Sequence, residues 1–198
     1  MAVEQIHEVQ QVYRKIVHSM SRPGIISSLE NVSADLDYHI PCFKATIHSA
    51  MTLLDAEVTF HLLTENHSDI SGKISAYTLA SETSIAEADY IIALSDATDY
   101  SILRAIRECK IGSLINPQLS ATWIIESSNL TNAGGMTLSG PGIKNEIKME
   151  TRFSPFVWEA RNERVKEYPM GIDLIFTDEK AQIACAPRTT VIENSGVR

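Results

Sequence analysis

The stretch that decides the fold reads YPMGIDLIFTDEKAQIACAPRTTVIE and spans residues 168–193. Pro169 cannot continue a helix, and Gly171 permits backbone angles that residues with side chains resist, so these two residues end the charged helical stretch before them. The run 172–176 is almost entirely apolar and is rich in β-branched and aromatic residues. Such a run is typical of a strand that is covered on both faces.

The same stretch predicts a hairpin. Residues 178–180 (DEK) indicate a turn, and residues 181–185 (AQIAC) indicate the returning strand. Pro187 has no N–H to donate to a strand ladder, so the hairpin ends there. The residues after that break, starting with Arg188, are therefore presented at the end of a strand.

The polar residues of this stretch predict a binding site. Asp173 lies inside the apolar strand, and a buried carboxylate needs a partner. Arg188 offers a planar fork of donors that matches carboxylates and phosphates, and Thr189 and Thr190 add hydroxyl groups beside it. Residues 187–190 are therefore candidates for holding an oxyanion. The alternative is that Arg188 neutralises Asp173 in a structural pair, and the residues alone leave both interpretations open.

Arg22 is a further candidate for binding an anion. It follows a predicted amphipathic helix, which Pro23 and Gly24 end. A cation at a helix C-terminus interacts favourably with the exposed carbonyl groups, which is the structural alternative for Arg22. The apolar positions of the helix recur at three- and four-residue spacing and are Ile6, Val9, Tyr13, Ile16 and Met20.

Helices and short apolar strands alternate through the rest of the chain. This alternation favours an α/β layered domain with a mainly parallel or mixed sheet, and the C-terminal hairpin makes it mixed. The length suits one domain over residues 1–198. The predicted helices lie at 43–54 and 99–108, and the predicted strands at 58–62, 89–94 and 121–125.

A last helix begins near Pro155, with Ser154 as its cap. Phe156, Val157 and Ala160 are expected to face the core. The charged residues that follow have mixed sign, and a solvated face is the favoured interpretation, with partner contact as the alternative. They are Glu159, Arg161, Glu163, Arg164, Lys166 and Glu167.

The glycine-containing segment 139–142 (SGPG) predicts a tight turn rather than a phosphate cradle. Pro141 removes one backbone donor, and the spacing matches neither the dinucleotide fingerprint nor the P-loop. Lys144 follows this turn. An alternative function is a stand-alone transferase that binds pyridoxal phosphate or a nucleotide through Asp173, Arg188 and Lys144, since an aspartate and a lysine suit the pyridinium nitrogen and the aldehyde.

Composition excludes several classes of function. The chain has 198 residues, of which 44% are hydrophobic and 21% charged, as in ordinary globular proteins. The net charge of −8 and the pI near 5.2 oppose nucleic-acid binding, and an anionic small ligand would need a local cluster of arginines such as Arg22 and Arg188. No apolar run reaches transmembrane length and no signal sequence is apparent, so we expect no membrane contact and a cytoplasmic location.

Neither the cysteines nor the histidines predict a metal site. The three cysteines are far apart in the sequence, which favours buried thiols over a disulfide framework. None of the six histidines has the paired helical spacing of a zinc hydrolase. The cysteines are Cys42, Cys109 and Cys185, and the histidines are His7, His18, His39, His48, His61 and His67.

Several segments together carry a resemblance to a known family. The C-terminal stretch, with its Tyr-Pro-Met-Gly-Ile-Asp-Leu-Ile-Phe and Pro-Arg-Thr-Thr motifs, resembles the signature of the PhnH family, the H subunits of the bacterial carbon-phosphorus lyase core complex. Tyr168 stands where that family more often has phenylalanine. The resemblance covers about residues 5 to 193, and the other matching segments, in order, are 20–24 (MSRPG), Gly112, Pro117, Ala121 with Thr122, and 138–143 (LSGPGI).

The resemblance implies a three-layer α/β/α domain, similar to the large domain of pyridoxal-phosphate-dependent transferases but without their working cofactor site. It implies a non-catalytic or co-catalytic subunit that needs no cofactor of its own. With the sister subunits G, I and J, such a subunit takes part in replacing the adenine of ATP by a phosphonate, which gives a ribose 1-phosphonate 5-triphosphate. A homodimer formed through an apolar face is also expected.

Overall fold

Helices and strands alternate along the part of the chain that the computed structural model describes, which is residues 2–30, 32, 40–66, 70–127 and 129–194. His39 and His67 lie outside these ranges. The helices are α1 (Ala2–Ser21), α2 (Lys44–Leu53), α3 (Ile70–Thr78), α4 (Asp99–Glu108) and α5 (Pro155–Arg164), with a 3-10 turn at Pro117–Leu119. The strands are β1 (Ser27–Ser28), β2 (Thr59–Leu63), β3 (Ser81–Glu82), β4 (Tyr90–Ala93), β5 (Thr122–Glu126), β6 (Thr131–Ser139), β7 (Ile147–Glu150), β8 (Asp173–Thr177), β9 (Gln182–Ala186) and β10 (Val191–Asn194).

The main sheet has seven strands in the order β1-β9-β8-β5-β4-β2-β3. The strands from β3 to β8 in this order run parallel to one another, β9 runs antiparallel to β8, and β1 runs antiparallel to β9. Ile92, Ile124 and Ile175 lie opposite one another across β4, β5 and β8, and all three are fully buried. The mixed α/β sheet and its C-terminal hairpin are thus confirmed.

Two apolar cores cover the two faces of this sheet. One contains residues of α1, α2 and α3 together with Ile124, and the other contains residues of α4 and α5 together with Trp123. Successive side chains of a strand point to opposite faces, so each central strand contributes to both cores. This double covering explains why the central strands are apolar along their whole length.

A second sheet of three strands, in the order β10-β6-β7, was not predicted from the sequence. β10 pairs antiparallel with β6. The last strand of the described chain therefore leaves the main sheet after the turn at residues 187–190, which we call the closing turn. Met136 and Leu138 of β6 pack into the same core as α4 and α5. The tight turn predicted after β6 is confirmed, since Ile143 N–H donates to the Gly140 carbonyl at 3.1 Å.

Two helices present different faces to the core than the sequence predicted. In α1 the buried apolar residues are Val12 and Ile16, whereas Ile6 and Tyr13 are more than half exposed. The predicted apolar stripe of α1 is therefore partly wrong, because its buried face is rotated towards Val12.

None of the helices within the described ranges is both long and apolar enough to cross a membrane.

In α5 the predicted core face was also wrong in part. Phe156 is 66% exposed, whereas Trp158 is buried and makes an edge contact with Phe153 at 6.0 Å between ring centroids. Ser154 stands at the N-cap position, but its side chain makes no capping hydrogen bond to the helix. Arg161, predicted to be solvated, is 0% exposed because it lies one turn beyond Val157 and Trp158 on the buried face.

Candidate functional site

Asp173 and Arg188 form an ion pair at the end of the C-terminal hairpin. The Arg188 backbone N–H donates to Asp173 Oδ1 at 2.8 Å, and its Nε donates to both carboxylate oxygens at 3.2 Å. Arg188 Nη2 also donates to Oδ2. The two side chains are 21% and 15% exposed, so the pair is largely withdrawn from water.

The remaining donors of Arg188 bind two other surface segments. Nη1 donates to the carbonyl oxygens of Pro117 at 2.9 Å and Pro169 at 3.1 Å, and Nη2 donates to Ser120 Oγ at 2.5 Å. A guanidinium has five N–H donors, and every one of them is therefore used inside the protein. Arg188 thus joins the start of β8, the 3-10 turn and the turn before β8.

The structure brings some of the predicted site residues together and leaves one apart. Thr189 lines a cleft next to the Asp173–Arg188 pair. Arg22 is exposed beyond α1, where its Nη1 lies 2.9 Å from His18 Nδ1, and it is not among the residues that line this cleft. Ligand binding by these residues stays a prediction. Lys144 is exposed, and among the described residues no hydrogen bond or ion pair joins it to Asp173.

Arg161, whose role the sequence analysis did not predict, donates hydrogen bonds to the backbone of the closing turn. The turn is closed by Thr190 N–H, which donates to the Pro187 carbonyl at 2.9 Å. Arg161 Nη1 donates to the Thr190 carbonyl and Nη2 to the Pro187 carbonyl, each at 2.7 Å. Asn162 Nδ2 donates to the Ile192 carbonyl at 2.8 Å, so neighbouring residues of α5 fix both the turn and β10.

The charge of Arg161 is buried without a carboxylate bonded to it. Within the described residues its acceptors are two backbone carbonyls and the Asn162 side chain, and its Nε has no acceptor. Burial lowers the pKa of Arg161 to about 10, while the more distant Asp173 carboxylate acts in the opposite direction. The guanidinium therefore remains charged at neutral pH.

An open cleft of about 660 Å³ lies over this turn. Its polar lining includes Arg161, Lys166, Arg188, Thr189 and Thr190, and its walls include Val165, Tyr168, Val191 and Ile192. Volumes of roughly 300–1,000 Å³ are typical of small-molecule sites. We name this site the α5–β10 cleft.

At the ends of β4 and β5, the carboxyl edge of the parallel strands is occupied by the chain itself. Glu126, fully buried at the end of β5, accepts Phe43 N–H at 2.6 Å and Thr46 Oγ1–H at 2.9 Å, both at the start of α2. It also accepts Ser95 N–H at 2.8 Å. Burial raises the pKa of Glu126, and these hydrogen bonds act in the opposite direction.

Arg152 closes the same edge with its guanidinium. It donates to the carbonyls of Glu126 at 3.0 Å, Ala97 at 3.0 Å and Leu94 at 3.1 Å. Open α/β sheets commonly bind ligands at this edge, where a helix N-terminus attracts an anion. Here the Glu126 carboxylate stands at the α2 N-terminus in the place such an anion would take.

Fold and site together define a class: an α/β protein with a mixed sheet, whose last hairpin is fixed by an Asp–Arg pair beside a basic cleft. The sequence model of the family described as bacterial phosphonate metabolism protein (PhnH) matches residues 2–193. That match covers nearly the whole chain, and the chain belongs to the PhnH family.

Two relatives are similar to this chain over nearly its full length. A protein of Stutzerimonas stutzeri named "Putative C-P lyase subunit protein HtxG" is 27% identical, over 94% of this chain and 87% of its own length. A protein of Rhizobium meliloti (strain 1021) is also 27% identical, over 95% of this chain and 92% of its own length. Its name is "Alpha-D-ribose 1-methylphosphonate 5-triphosphate synthase subunit PhnH".

Proposed function

We propose that this chain is a cytoplasmic subunit of a carbon-phosphorus lyase complex in organophosphonate catabolism. It assembles with the sister subunits G, I and J and takes part in forming a ribose 1-phosphonate 5-triphosphate from ATP and a phosphonate. The chain contributes no complete active site of its own. The family match and the names of the two relatives support this assignment.

The observation that carries the proposal is an apolar surface built around Arg188. Leu114, Ile115 and Leu119 are 67%, 87% and 56% exposed, and Tyr168 is 69% exposed. The loop 113–119 and the turn that contains Tyr168 are both bonded to the Arg188 guanidinium, through Pro117 and Pro169. We name these four side chains the Arg188 surface. Exposed apolar groups gathered in this way are typical of protein interfaces.

The loop of this surface is ordered before any partner binds. Ser113 N–H donates to the Asn116 carbonyl at 3.2 Å, and Asn116 N–H donates to Ser113 Oγ at 3.0 Å. Gly112 has φ +75°, and a Cβ there would lie 2.7 Å from the Pro117 carbonyl oxygen. A surface that is ordered in advance loses little conformational entropy on binding, which favours a stable complex.

The occupied carboxyl ends of β4 and β5 support the absence of a complete active site. We also propose that the domain is related to the large domain of pyridoxal-phosphate-dependent transferases but lacks their working cofactor site. Glu126 and Arg152 bond to backbone groups of the edge itself, which leaves these side chains engaged in holding the fold.

A homodimer is also part of the proposal, and the exposed side of α1 supports it. Ile6, Tyr13 and Val17 are 57%, 54% and 46% exposed. Their spacing of seven and four residues places them on one face of the helix. Because α1 contributes no side chain to the Arg188 surface, we propose that self-association uses a different part of the chain from binding of a sister subunit.

The experiment is co-expression of the chain with subunits G, I and J, with a tag on one sister subunit. Affinity capture, size-exclusion chromatography and native mass measurement should recover one particle that contains all four chains in fixed ratio. If the chain elutes alone while the sister subunits assemble without it, the proposed function is wrong.

A further inference from the structure

The α5–β10 cleft is continuous with the Arg188 surface. Tyr168 belongs to both, because its side chain is one of the four that form the Arg188 surface and it also lines the cleft. Arg188 lines the cleft too, and its guanidinium bonds the turn that carries Tyr168, through the Pro169 carbonyl at 3.1 Å. A partner that covers Tyr168 on the Arg188 surface therefore reaches the edge of the cleft.

The walls of the cleft are apolar and partly exposed to water. Val191 is 51% exposed and Tyr168 is 69% exposed, and Val165 and Ile192 complete these walls. A cleft of about 660 Å³ has room for side chains of a partner. Apolar or aromatic side chains that fill such a pocket commonly supply much of the binding energy of an interface.

The charged groups of the cleft favour an uncharged occupant. Arg161 is 0% exposed, and every N–H donor of the Arg188 side chain is used inside the protein. Three cations line the cleft, and three carboxylates match them in number. The cations are Arg161, Lys166 and Arg188, and the carboxylates are Glu193 in the lining and Glu163 and Asp173, which pair with Lys166 and Arg188.

The strand at the side of the cleft limits how an occupant can bind. β10 is an edge strand, which pairs with β6 and also lines the cleft. The Ile192 carbonyl of β10 accepts Asn162 Nδ2–H at 2.8 Å, so this carbonyl is not free to pair with an added strand. An inserted segment is therefore held mainly by its side chains.

We propose that the sister subunit that binds the Arg188 surface inserts an uncharged, apolar segment into the α5–β10 cleft, with its side chains against Val191 and Tyr168. This inference rests on the proposed function, because the segment belongs to the partner of the Arg188 surface. The cleft then holds the buried anchor of the interface, and the Arg188 surface supplies the contacts around it.

The test uses three substitutions at Val191 in the co-expressed complex, with capture on a tagged sister subunit. Val191→Leu should be captured like the wild type, because the occupant is apolar. Val191→Asp and Val191→Lys should each be captured at least about tenfold less, because either charge would be buried without a partner.

The outcomes separate this inference from the proposed function. If the wild type assembles and both charged variants are captured equally well, the inserted segment is wrong and the proposed function stands. Loss of capture for only one of the two charges would show a charged occupant and would also overturn the inference. If the wild type itself does not assemble, both proposals are wrong.

A labelling experiment gives a second result that does not depend on loss of binding. Val191→Cys should react with a maleimide in the isolated chain and lose most of this reaction in the complex, whereas Tyr100→Cys, on α4, should react equally in both. The native thiols give little background, because Cys109 and Cys185 are buried and burial raises the pKa of Cys42 to about 12. Equal labelling of Val191→Cys in the isolated chain and in the complex would overturn the inference.

Discussion

Arg188 binds the carboxylate of Asp173, fifteen positions earlier, through both its side chain and its own backbone N–H. The pair fixes the closing turn to the first residue of β8. Because the same guanidinium bonds Pro117, Pro169 and Ser120, it also fixes the loop and turn that carry the Arg188 surface. Stability and the shape of that surface therefore depend on one side chain.

Removal of the Arg188 side chain should lower the stability of the folded protein. In Arg188→Ala, the Asp173 carboxylate stays largely buried without its partner, so we expect the free energy of unfolding to fall by about 3–5 kcal/mol. Urea unfolding followed by circular dichroism measures this loss. Arg104→Ala is the control, because Arg104 pairs with Glu108 on the solvated face of α4 and its loss should leave stability unchanged. Equal stability of both variants would contradict the structural role.

Gly171 should resist substitution because the turn before β8 passes close to Arg188. Its φ is +150°, and a Cβ there would lie 2.9 Å from both Arg188 Cβ and Val165 Cγ1. Gly171→Ala should therefore lower the free energy of unfolding by about 1–3 kcal/mol.

Gly134 provides the matched control for that substitution. A Cβ at Gly134 would meet no atom within 4 Å. Gly134→Ala should leave the midpoint of urea unfolding unchanged or raise the stability by roughly 0.5 kcal/mol. If Gly171→Ala leaves the stability unchanged or raises it as Gly134→Ala does, then the turn does not pass as close to Arg188 as described.

Glu126 should make stability depend on pH. Burial raises its pKa in the folded protein above the ordinary value of 4.5. Its contribution is therefore fully present below pH 4.5 and is lost as the pH rises through the higher pKa of the folded state. Glu126→Gln removes this titration and places an amide donor among three donors, so the variant should be less stable by about 1–3 kcal/mol.

The pH dependence of the free energy of unfolding separates the loss of the Glu126 titration from the cost of the added amide donor. Urea unfolding of both proteins between about pH 4.5 and pH 8 should give a stability difference that grows as the pH falls, since the wild type gains from protonation and the variant does not. Glu167→Gln, on the solvated side, should follow the wild type at every pH. A difference that shrinks towards low pH would contradict the raised pKa of Glu126.

The main sheet could be predicted because its strands are short apolar runs with clear breaks. Pro187 and Gly171 mark the ends of the hairpin, and the charge of Asp173 inside an apolar run predicts a partner such as Arg188. The second sheet could not be predicted in this way. Much of β6 is polar or glycine, and only its last part alternates, with Met136 and Leu138 buried.

Arg161 escaped prediction because its neighbours in sequence are charged. Glu159 and Glu163 are exposed, and a mixed-charge run is normally solvated. The available signal was its spacing of four residues from Val157 and three from Trp158, which puts it on the buried face of α5. The acceptors of Arg161 are backbone carbonyls of residues 187 and 190, and backbone acceptors leave no trace in a sequence.

The most direct test of the central claim compares two variants in the co-expressed complex. Ile115→Lys places a charge on the Arg188 surface, and Tyr100→Lys places one in the first turn of α4, at the end of that helix farther along the chain from the loop 113–119, where Tyr100 is 79% exposed. We predict that capture on a tagged sister subunit recovers Tyr100→Lys like the wild type and Ile115→Lys at least about tenfold less. Equal recovery of both variants would contradict assembly through the Arg188 surface.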